Sequence, residues 1–365
     1  MRRVLIIQPT LPSYRVDLFE RLAARLEAEG GALWVHYAAQ DYLGVRAATS
    51  LPKGVRSSMK RYLSAPLLKK TPLSRPLAPL GALLWAEVVV IPGHLHELEV
   101  ALSAALTKLR GRRLIWWGSF PQEHPLKRHA RLWASGRCDG IATYMPSQRE
   151  ALPAHLKERA RSLNNGLKPL SAPPLGPSLS ARPRAIAVIG RASPKSKIIP
   201  WLQARRRWDK GPLTVHLIGT SSAELLSAEV PQVKGVTIKP HGYVEGEGAL
   251  LKVLSECRLS FYPGAVGLSL MEGMRAGLPS LLAAPPAPHM PEFEIFEEGE
   301  HGRHFEAEGY PPLTGARRPS WPEALAEMLD DGRWLDEAQA RCLERGEAFS
   351  TKVMAERLFE LICGR

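Results

Sequence analysis

The sequence is poor in cysteine and has no long apolar run. Its four cysteines, among 365 residues, are scattered, with no CxxC pair and no histidine at metal-ligand spacing. This pattern argues against a disulfide framework or a zinc module and favours a reducing compartment. The most apolar window, residues 79–92, contains Glu87 and is shorter than the ~20 residues of a membrane span. Pro9 and Pro12 interrupt the N-terminal apolar run, so a signal peptide is not expected. We therefore expect a cytoplasmic protein that is soluble or at most peripheral to a membrane.

Acidic residues are scarce in the first half of the chain. The formal net charge is +13, and residues 101–200 alone contain 18 Lys or Arg against 4 Asp or Glu. Residues 42–86 contain eight cations and no carboxylate, namely Arg46, Lys53, Arg56, Lys60, Arg61, Lys69, Lys70 and Arg75. The positive electrostatic field of these cations attracts phosphates, whether of nucleic acid, of an anionic membrane surface or of a phosphorylated substrate. The charge alone does not indicate which of the three is the partner.

Strand and helix patterns alternate on both sides of a proline-rich segment. Residues 168–185 are rich in Pro, Ser, Gly and Ala and lack periodicity, which is typical of an interdomain linker. Short apolar runs predict strands at 3–8, 32–37, 86–92, 113–117 and 139–144, and again at 185–190, 213–219, 236–239, 258–262 and 279–283. Helical periodicity predicts a tail of helices at 321–329, 334–345 and 352–362. We therefore predict an α/β fold of two doubly wound domains with a ligand cleft between them.

The segment 262–279, YPGAVGLSLMEGMRAGLP, places a glycine-rich turn between a strand and a helix. Gly267 allows a ligand to approach the backbone, and the N–H groups of the helix start at Leu268 and Ser269 favour a phosphate. Glu272 follows one turn later on the same face, where a carboxylate can accept hydrogen bonds from the two hydroxyls of a ribose. The alternative interpretation is a plain turn followed by an exposed helical glutamate.

A basic loop, GRASPKSK, follows the strand predicted at 185–190. The carboxyl end of the first strand of a doubly wound domain is a common place for ligands. Arg191, together with Lys195 or Lys197, could clamp a diphosphate, with the guanidinium acting as a fork and the ammonium as a point charge. The alternative is a solvated basic loop.

Further candidates follow other predicted strands. His94 and His96 come after the strand at 86–92, where a histidine could orient an acceptor or a sugar, although a single histidine is more often structural. Gly118 and Ser119 follow the strand at 113–117 and take a similar position.

Two more pairs carry both a functional and a structural interpretation. Tyr14 and Arg15 are candidates for an acceptor or phosphate contact, or for a contact at a helix N-terminus. Glu292 and Glu294 begin a predicted helix, where the dipole stabilises carboxylates in any case.

Together these residues resemble the donor-binding half of retaining, nucleotide-sugar-dependent glycosyltransferases with the GT-B fold, the large family 4 and its relatives. The family's GR…K loop, its strand ending in LIG, its later glycine-initiated loop, its signature helix and its PE and G-x-x-F pattern all have counterparts. These are Gly190, Arg191 and Lys197; Leu217 to Gly219; His241 to Val244; Gly267, Leu268, Glu272, Met274, Gly277 and Pro279; and Pro291, Glu292, Gly299, Gly302 and Phe305. The first loop, residues 9–15, also looks like that of many such enzymes.

The resemblance implies two Rossmann-like domains facing a cleft. An acceptor-binding domain would span 1–167, a linker 168–185, a donor-binding domain 186–345, and a C-terminal helix at 346–365 would return to the first domain. The implied reaction is transfer of a sugar with retention from a nucleotide-diphosphate donor, with no cofactor and no metal, to a cell-envelope glycan or lipid-linked acceptor at the inner membrane face. The basic stretch 46–75 would then suit anionic headgroups. No nucleic-acid partner is expected.

The resemblance also implies roles for single residues. Arg191, Lys197 and His94 would be catalytic, and Tyr14, Arg15, Gly118 and Ser119 would meet the acceptor. The donor would contact Gly190, Lys195, Gly219, Gly242, Tyr243, Val244, Gly264, Val266, Gly267, Leu268, Ser269, Glu272, Glu292 and Glu294. The family's first signature glutamate falls on Gly264, so its contact with the donor sugar would pass to Glu292 or Glu294.

Three other functions compete with this one. A GT-B sugar epimerase shares the architecture and acts on the nucleotide sugar itself. A non-catalytic sugar-nucleotide-binding relative would make Gly264 a sign of lost chemistry. A nucleic-acid-binding protein would explain the basic half, but no aromatic RNA-binding strand, zinc finger or heptad accompanies the cations.

Overall fold

A computed structural model describes residues 2–38, 51, 55–60, 62–63, 73–74, 78–93, 98–120, 125–171, 176–204, 208–285, 287, 289–306 and 318–364. The chain divides into two compact units. Unit 1 comprises Met1–Lys168 and Ser350–Arg365, and unit 2 comprises Pro169–Phe349.

Unit 1 is built on a seven-stranded parallel sheet in the order β3-β2-β1-β6-β7-β8-β9. Its strands are β1 (Arg3–Ile7), β2 (Ala32–Ala38), β3 (Arg56–Lys60), β6 (Val88–Pro92), β7 (Arg113–Trp117), β8 (Gly140–Thr143) and β9 (Ala160–Ser162), and β4 (Tyr62–Leu63) and β5 (Leu73–Ser74) form a separate antiparallel pair. Its helices are α1 (Val16–Glu27), α2 (Leu80–Trp85), α3 (Leu98–Leu109), α4 (Pro125–Ser135), α5 (Pro146–Glu150), α6 (Ala154–Lys157) and, from the chain end, α13 (Thr351–Cys363).

Unit 2 repeats the plan with six parallel strands in the order β12-β11-β10-β13-β14-β15. The strands are β10 (Ala185–Ile189), β11 (Leu213–Ile218), β12 (Val236–Gly242), β13 (Leu259–Tyr262), β14 (Ser280–Ala283) and β15 (Gly302–Phe305). The helices are α7 (Ile198–Ala204), α8 (Ser222–Ser227), α9 (Glu247–Leu254), α10 (Leu268–Arg275), α11 (Trp321–Asp330) and α12 (Gly332–Ala348). Short 3-10 helices occur at Ser13–Arg15, Leu179–Ala181 and Pro291–Ile295.

The α/β architecture of two doubly wound sheets is confirmed, and so are all ten predicted strands and the three helices of the tail. Central strands such as β6 are buried at every position, as a parallel sheet covered on both faces requires. The strands β3, β9 and β15 were not predicted from the sequence, and all three lie at sheet edges. Their sequences, RSSMK, ARS and GRHF, lack the apolar run by which the other strands were recognised.

The last helix, α13, packs against α1 in unit 1, where Leu358 and Phe359 join the same core as Leu18 and Leu22. The helix before it, α12, continues to Ala348 within unit 2, so the chain enters unit 1 at Ser350, four residues later than the boundary predicted at 346.

The segment 168–185, predicted as a linker, is bound to unit 2 through its residues 179–181. Ser180 in the 3-10 helix donates through its backbone N–H and its hydroxyl to the carboxylate of Asp336 on α12, at 2.9 and 2.6 Å.

Several predicted features fall outside the described residues. These include His94 and His96 and most of the basic stretch 46–75. Of its eight cations, Arg56 has a described side chain, and its guanidinium lies 5.5 Å from the centre of the Trp85 ring.

Candidate functional site

A cavity of about 550 Å³ opens at the carboxyl edge of the unit 2 sheet. The strand order reverses between β10 and β13, so the loops that follow these two strands leave the sheet side by side, which is where doubly wound folds bind ligands. The two loops are joined by a hydrogen bond of 2.8 Å from the N–H of Ala265 to the carbonyl of Lys195. The cavity is lined by Val188, Ile189, Gly190, Arg191, Ala192, Ser193, Lys195, Ser196, Ile198, Gly219, Glu224, Tyr262, Pro263, Ala265, Val266, Gly267, Ser269 and Met290.

The loop after β10 is held in shape by two serines. The hydroxyl of Ser196 donates to the carbonyl of Arg191 at 2.8 Å, and the N–H groups of Ser193 and Ser196 each bind the other residue's hydroxyl, at 3.1 and 3.2 Å. These local bonds fix the backbone and leave Arg191 and Lys195 exposed on the cavity. Two cations on a fixed backbone provide a site for an anion that needs little rearrangement on binding.

The turn after β13 directs the start of α10 at the same cavity. Gly267 is the N-cap of α10 and has no side chain that could bind the first N–H groups of the helix. Below the turn, the buried Tyr262 donates its hydroxyl to the carbonyl of Ser269 at 2.6 Å. Burial raises the pKa of Tyr262 well above its usual value, so the phenol remains a donor. The positive end of the α10 dipole and the two loop cations therefore face one cavity.

His289 supports this turn from the loop after β14. Its Nδ1 accepts a hydrogen bond from the N–H of Val266 at 3.3 Å, and its Nε2 donates to the carbonyl of Ala283 at 3.0 Å, an assignment that follows from the two partners. The ring stacks on Phe293 with centroids 4.1 Å apart. Burial lowers the pKa of His289, which keeps the imidazole neutral and able to accept. This positioning role of His289 was not predicted from the sequence, because the partners of its imidazole are backbone groups.

Gly219 is required at the end of β11 by both conformation and space. Its φ is +94°, and a Cβ would lie 2.8 Å from the carbonyl oxygen of Gly190. The next residue, Thr220, donates its hydroxyl to that same carbonyl at 3.1 Å. Gly219 therefore lets two loops approach each other at the cavity wall.

Known proteins share the structure of this chain but not its sequence. No protein-family model matches the sequence, and no curated protein matches it. HepE of Anabaena in complex with UDP-glucose has a TM-score of 0.60 at 11% identity, over 100% of both chains. The lipopolysaccharide outer core galactosyltransferase WaaB in its apo form has a TM-score of 0.60 at 11% identity over 99% of both chains. WaaG, a glycosyltransferase involved in lipopolysaccharide biosynthesis, has a TM-score of 0.57 at 12% identity over 99% of this chain and 100% of that one.

The chain has the GT-B fold. Within it, seven residues predicted for the donor site come together at the cavity, namely Gly190, Arg191, Lys195, Gly219, Val266, Gly267 and Ser269.

Other predicted donor residues do not line the cavity. Lys197 begins the approach to α7 with a φ of +50°, and its carbonyl accepts from the N–H of Trp201 at 2.9 Å. Both loop lysines were expected to meet the donor, and of the two only Lys195 lines the cavity. Leu268, Gly242, Tyr243 and Val244 are also outside the lining set. Gly242 instead joins β12 to β11, because its carbonyl accepts from the N–H of Gly219 at 2.6 Å.

The predicted carboxylates lie near the cavity but not on its wall. Glu272 on α10 forms an ion pair with Arg275 at 2.7 Å, and Arg275 also lies 3.5 Å from Glu247. Glu292 is 8% exposed, and its Oε2 would be 3.8 Å from a Cβ placed on Gly267, so it lies behind the start of α10. Glu294 is in the same 3-10 helix, and its carbonyl accepts from Arg345 at 3.3 Å.

The acceptor residues predicted in unit 1 have structural partners. Arg15 is 6% exposed, its guanidinium donates to Asn165 Oδ1 and to Met354 Sδ, and it lies 5.3 Å from the ring of Trp117. The side chain thus ties α13 to the first loop from a buried position, and a contact of Arg15 with the acceptor stays a prediction. The half-buried Tyr14 ring lies 5.4 Å from the same guanidinium.

Gly118 and Ser119 lie at the carboxyl end of β7, on the edge of the unit 1 sheet that was predicted for the acceptor. A Cβ on Gly118 would lie 2.7 Å from the Cα of Gly93, so a glycine is needed for β6 and β7 to end side by side. Ser119 accepts hydrogen bonds from Arg131 on α4 at 2.7 Å to its carbonyl and 3.2 Å to its hydroxyl.

A larger cavity, of about 880 Å³, lies in unit 1 along the edge strand β9. Two of its arginines bind main-chain carbonyls of β9: Arg149 binds that of Ala160 at 2.8 Å and Arg357 that of Ser162 at 3.1 Å. These side chains cap an open sheet edge, which is a structural use. Among the described residues, no helix is long and apolar enough to cross a bilayer, and no group of three or more His, Cys, Asp or Glu could hold a metal ion.

Proposed function

We propose that this protein is a glycosyltransferase that moves a sugar from a nucleotide-diphosphate donor to a cell-envelope glycan or lipid-linked acceptor. The observation that carries the proposal is the convergence of Arg191, Lys195 and the N-terminus of α10 on one cavity at the point where the strand order reverses. The structural likeness to a protein bound to UDP-glucose and to two enzymes named for lipopolysaccharide synthesis supports the choice of reaction and acceptor class.

In this proposal the diphosphate lies between the two loops. Arg191 binds it as a fork and Lys195 as a point charge, while the first N–H groups of α10 donate from the other side. Lys197, two residues further along the same loop, supplies charge at longer range. Base contacts are made by the backbone at 242–244, as the resemblance implies.

In this proposal, carboxylates accept hydrogen bonds from the hydroxyls of the ribose and of the sugar. Arg275 binds Oε2 of Glu272, and Oε1 of that carboxylate is the atom that would accept from the ribose hydroxyls. The carboxylates proposed to approach the sugar are Glu292, whose Oε2 would lie 3.8 Å from a Cβ on Gly267, and Glu294 in the same 3-10 helix.

Departure of the nucleoside diphosphate places negative charge on its oxygens. A fixed arginine, a lysine and a helix N-terminus stabilise that charge as it develops, and the reaction proposed here uses these groups without a metal. Removing one preorganised donor of this kind costs about 2.7–4 kcal/mol of barrier, a rate loss of about 10²–10³. Attack on the face that the nucleotide leaves would retain the anomeric configuration.

Turnover tests the proposal. Release of nucleoside diphosphate from UDP-, GDP-, ADP- and dTDP-sugars is measured with a bacterial envelope lipid extract as acceptor, and NMR of the product reads the anomeric configuration. We expect Arg191→Ala to lose about 10²–10³ in kcat/KM, and Lys195→Ala to lose more than Lys197→Ala. Arg333→Ala, which removes a 91% exposed arginine in the same unit, is the matched control. Full turnover in Arg191→Ala contradicts the site, and nucleotide binding without turnover for any donor favours a non-catalytic relative.

A further inference from the structure

Glu224 on α8 is the one carboxylate among the described residues that line the cavity of unit 2. It shares that cavity with the cations Arg191 and Lys195. A carboxylate repels the phosphates that these cations attract, so a diphosphate alone does not account for its presence. The part of a ligand that lies beside Glu224 must therefore offer hydrogen-bond donors.

A capping box at the start of α8 fixes the carboxylate of Glu224. Its Oε2 accepts from the N–H and from the hydroxyl of Ser221, at 2.6 and 2.8 Å, and the Ser221 hydroxyl accepts from the N–H of Glu224 at 3.3 Å. These bonds lower the pKa of Glu224, so the group is ionised at neutral pH. Because both bonds use Oε2, Oε1 is the atom that can accept from a ligand, and its two lone pairs suffice for two adjacent donors.

The strand order places Glu224 beside the segment proposed to contact the base. Helix α8 follows β11, which lies between β10 and β12, and residues 242–244 follow at the end of β12. The N–H of Gly242 donates to the carbonyl of Thr220 at 3.1 Å, and a Cβ on Gly242 would lie 4.0 Å from that of Ser221. The carboxylate that is bonded to Ser221 is therefore close to this segment. Glu272, to which the ribose was assigned, is on α10 after β13, on the other side of β10.

We propose that Glu224 contacts the base of the donor and selects a guanine nucleotide. Guanine offers two adjacent donors, N1–H and the N2 amino group, which match an oxygen that has two lone pairs. Uracil offers one N–H between two carbonyl oxygens, which an anionic carboxylate repels. Adenine and cytosine each combine an amino group with an acceptor nitrogen, so only one of their two atoms suits a carboxylate. This inference rests on the proposed function, since it takes the cavity to be a nucleotide site.

The variant Glu224→Gln separates recognition of the base from capping of the helix. Glutamine also completes a capping box, so α8 should keep its N-cap. The amide oxygen would then accept from Ser221, which leaves the NH₂ group where Oε1 stood, and an NH₂ group donates where the carboxylate accepted. Glu229→Gln, which changes an exposed glutamate just after α8, is the matched control.

The experiment is calorimetric titration of the full chain with GDP, IDP, ADP and UDP. IDP differs from GDP only in lacking the N2 amino group. We expect the wild type to bind GDP more tightly than IDP, and about tenfold or more tightly than UDP. Glu224→Gln should lose about tenfold in affinity for GDP, bind GDP and IDP alike, and gain affinity for UDP. Its melting temperature without nucleotide should equal that of the wild type, and Glu229→Gln should behave as the wild type throughout.

Three results would overturn the inference and leave the donor site in place. These are binding of UDP at least as tight as that of GDP by the wild type, an unchanged ratio of GDP to UDP affinity in Glu224→Gln, and an equal loss for all four nucleotides in that variant. The last result would assign Glu224 to the ribose. Failure of the wild type to bind any of the four is a different outcome, because it contradicts the proposed donor site itself and the inference with it.

Discussion

Gly264 lies directly against the carbonyl group of Ser196. A Cβ at position 264 would be 2.7 Å from both the carbonyl carbon and the oxygen of Ser196, a distance that real Cβ atoms do not show. The turn after β13 and the basic loop after β10 therefore touch through their backbones at the place where the signature glutamate of similar enzymes would stand. The glycine has a packing function here, independent of any loss of chemistry.

Restoring the glutamate should therefore damage the site. We expect Gly264→Glu to displace the loop that carries Arg191 and Lys195 and to cost about 1–3 kcal/mol of stability through overpacking. Nucleotide affinity should fall as well, because the two cations move. Gly248→Glu is the control, since nothing lies within 4 Å of a Cβ at that position. Melting temperature and nucleotide affinity are the measurements, and a gain of affinity in Gly264→Glu would show that this packing argument is wrong.

We expect His289 to support the proposed donor site without touching the donor. His289→Ala leaves the N–H of Val266 without its acceptor and should weaken nucleotide binding by about tenfold, the effect of losing one buried hydrogen bond of about 1–3 kcal/mol. Calorimetric titration of the nucleotide measures this change. His155→Ala, at an exposed histidine of unit 1, is the comparison and should bind like the wild type. Unchanged affinity in His289→Ala would mean that the turn keeps its shape without the imidazole.

The variant Arg15→Ala tests whether Arg15 has a structural role or binds the acceptor. Arg15→Ala removes the donors to Asn165 and Met354 and should destabilise the protein by about 1–3 kcal/mol. Nucleotide affinity should not change, because the cavity proposed for the donor lies in unit 2. Urea unfolding gives the first quantity and titration the second. A variant as stable as the wild type but with a raised KM for the acceptor would return Arg15 to the acceptor site.

His216 should make the stability depend on pH. It is 1% exposed, its Nδ1 lies 3.1 Å from Nε2 of His241, and burial lowers its pKa to about 4 despite Glu256 nearby. Between pH 4 and 6.5 the unfolded chain therefore binds a proton that the folded protein excludes, so stability falls as the pH falls, by at most about 1.4 kcal/mol per pH unit.

Chemical denaturation at pH 7 and pH 5 measures this dependence. His216→Gln should lose less stability over this interval than the wild type, while His155→Gln should follow the wild type. The same slope in all three proteins would mean that His216 is protonated in the folded state.

The sequence predicted the central strands and the positions of the ligand loops well, for a physical reason. A strand such as β10 is buried on both faces and must be continuously apolar, and the residues after it are then placed at the sheet edge by topology. The contact between Gly264 and Ser196 and the support of Val266 by His289 could not be predicted, since both depend on backbone atoms distant in the sequence. For the same reason Lys195 and Lys197 could not be ranked before the loop conformation was known.

The most direct test of the donor site is a thermal melt with UDP, GDP, ADP, CMP and dTDP. A ligand at a hundredfold excess over its Kd stabilises the folded state by about 2.7 kcal/mol, which a melt detects readily. We predict an upward shift with one of these nucleotides, kept in Arg333→Ala and lost in Arg191→Ala. No shift with any nucleotide, or a shift that Arg191→Ala retains in full, would contradict the assignment of this cavity to a nucleotide donor.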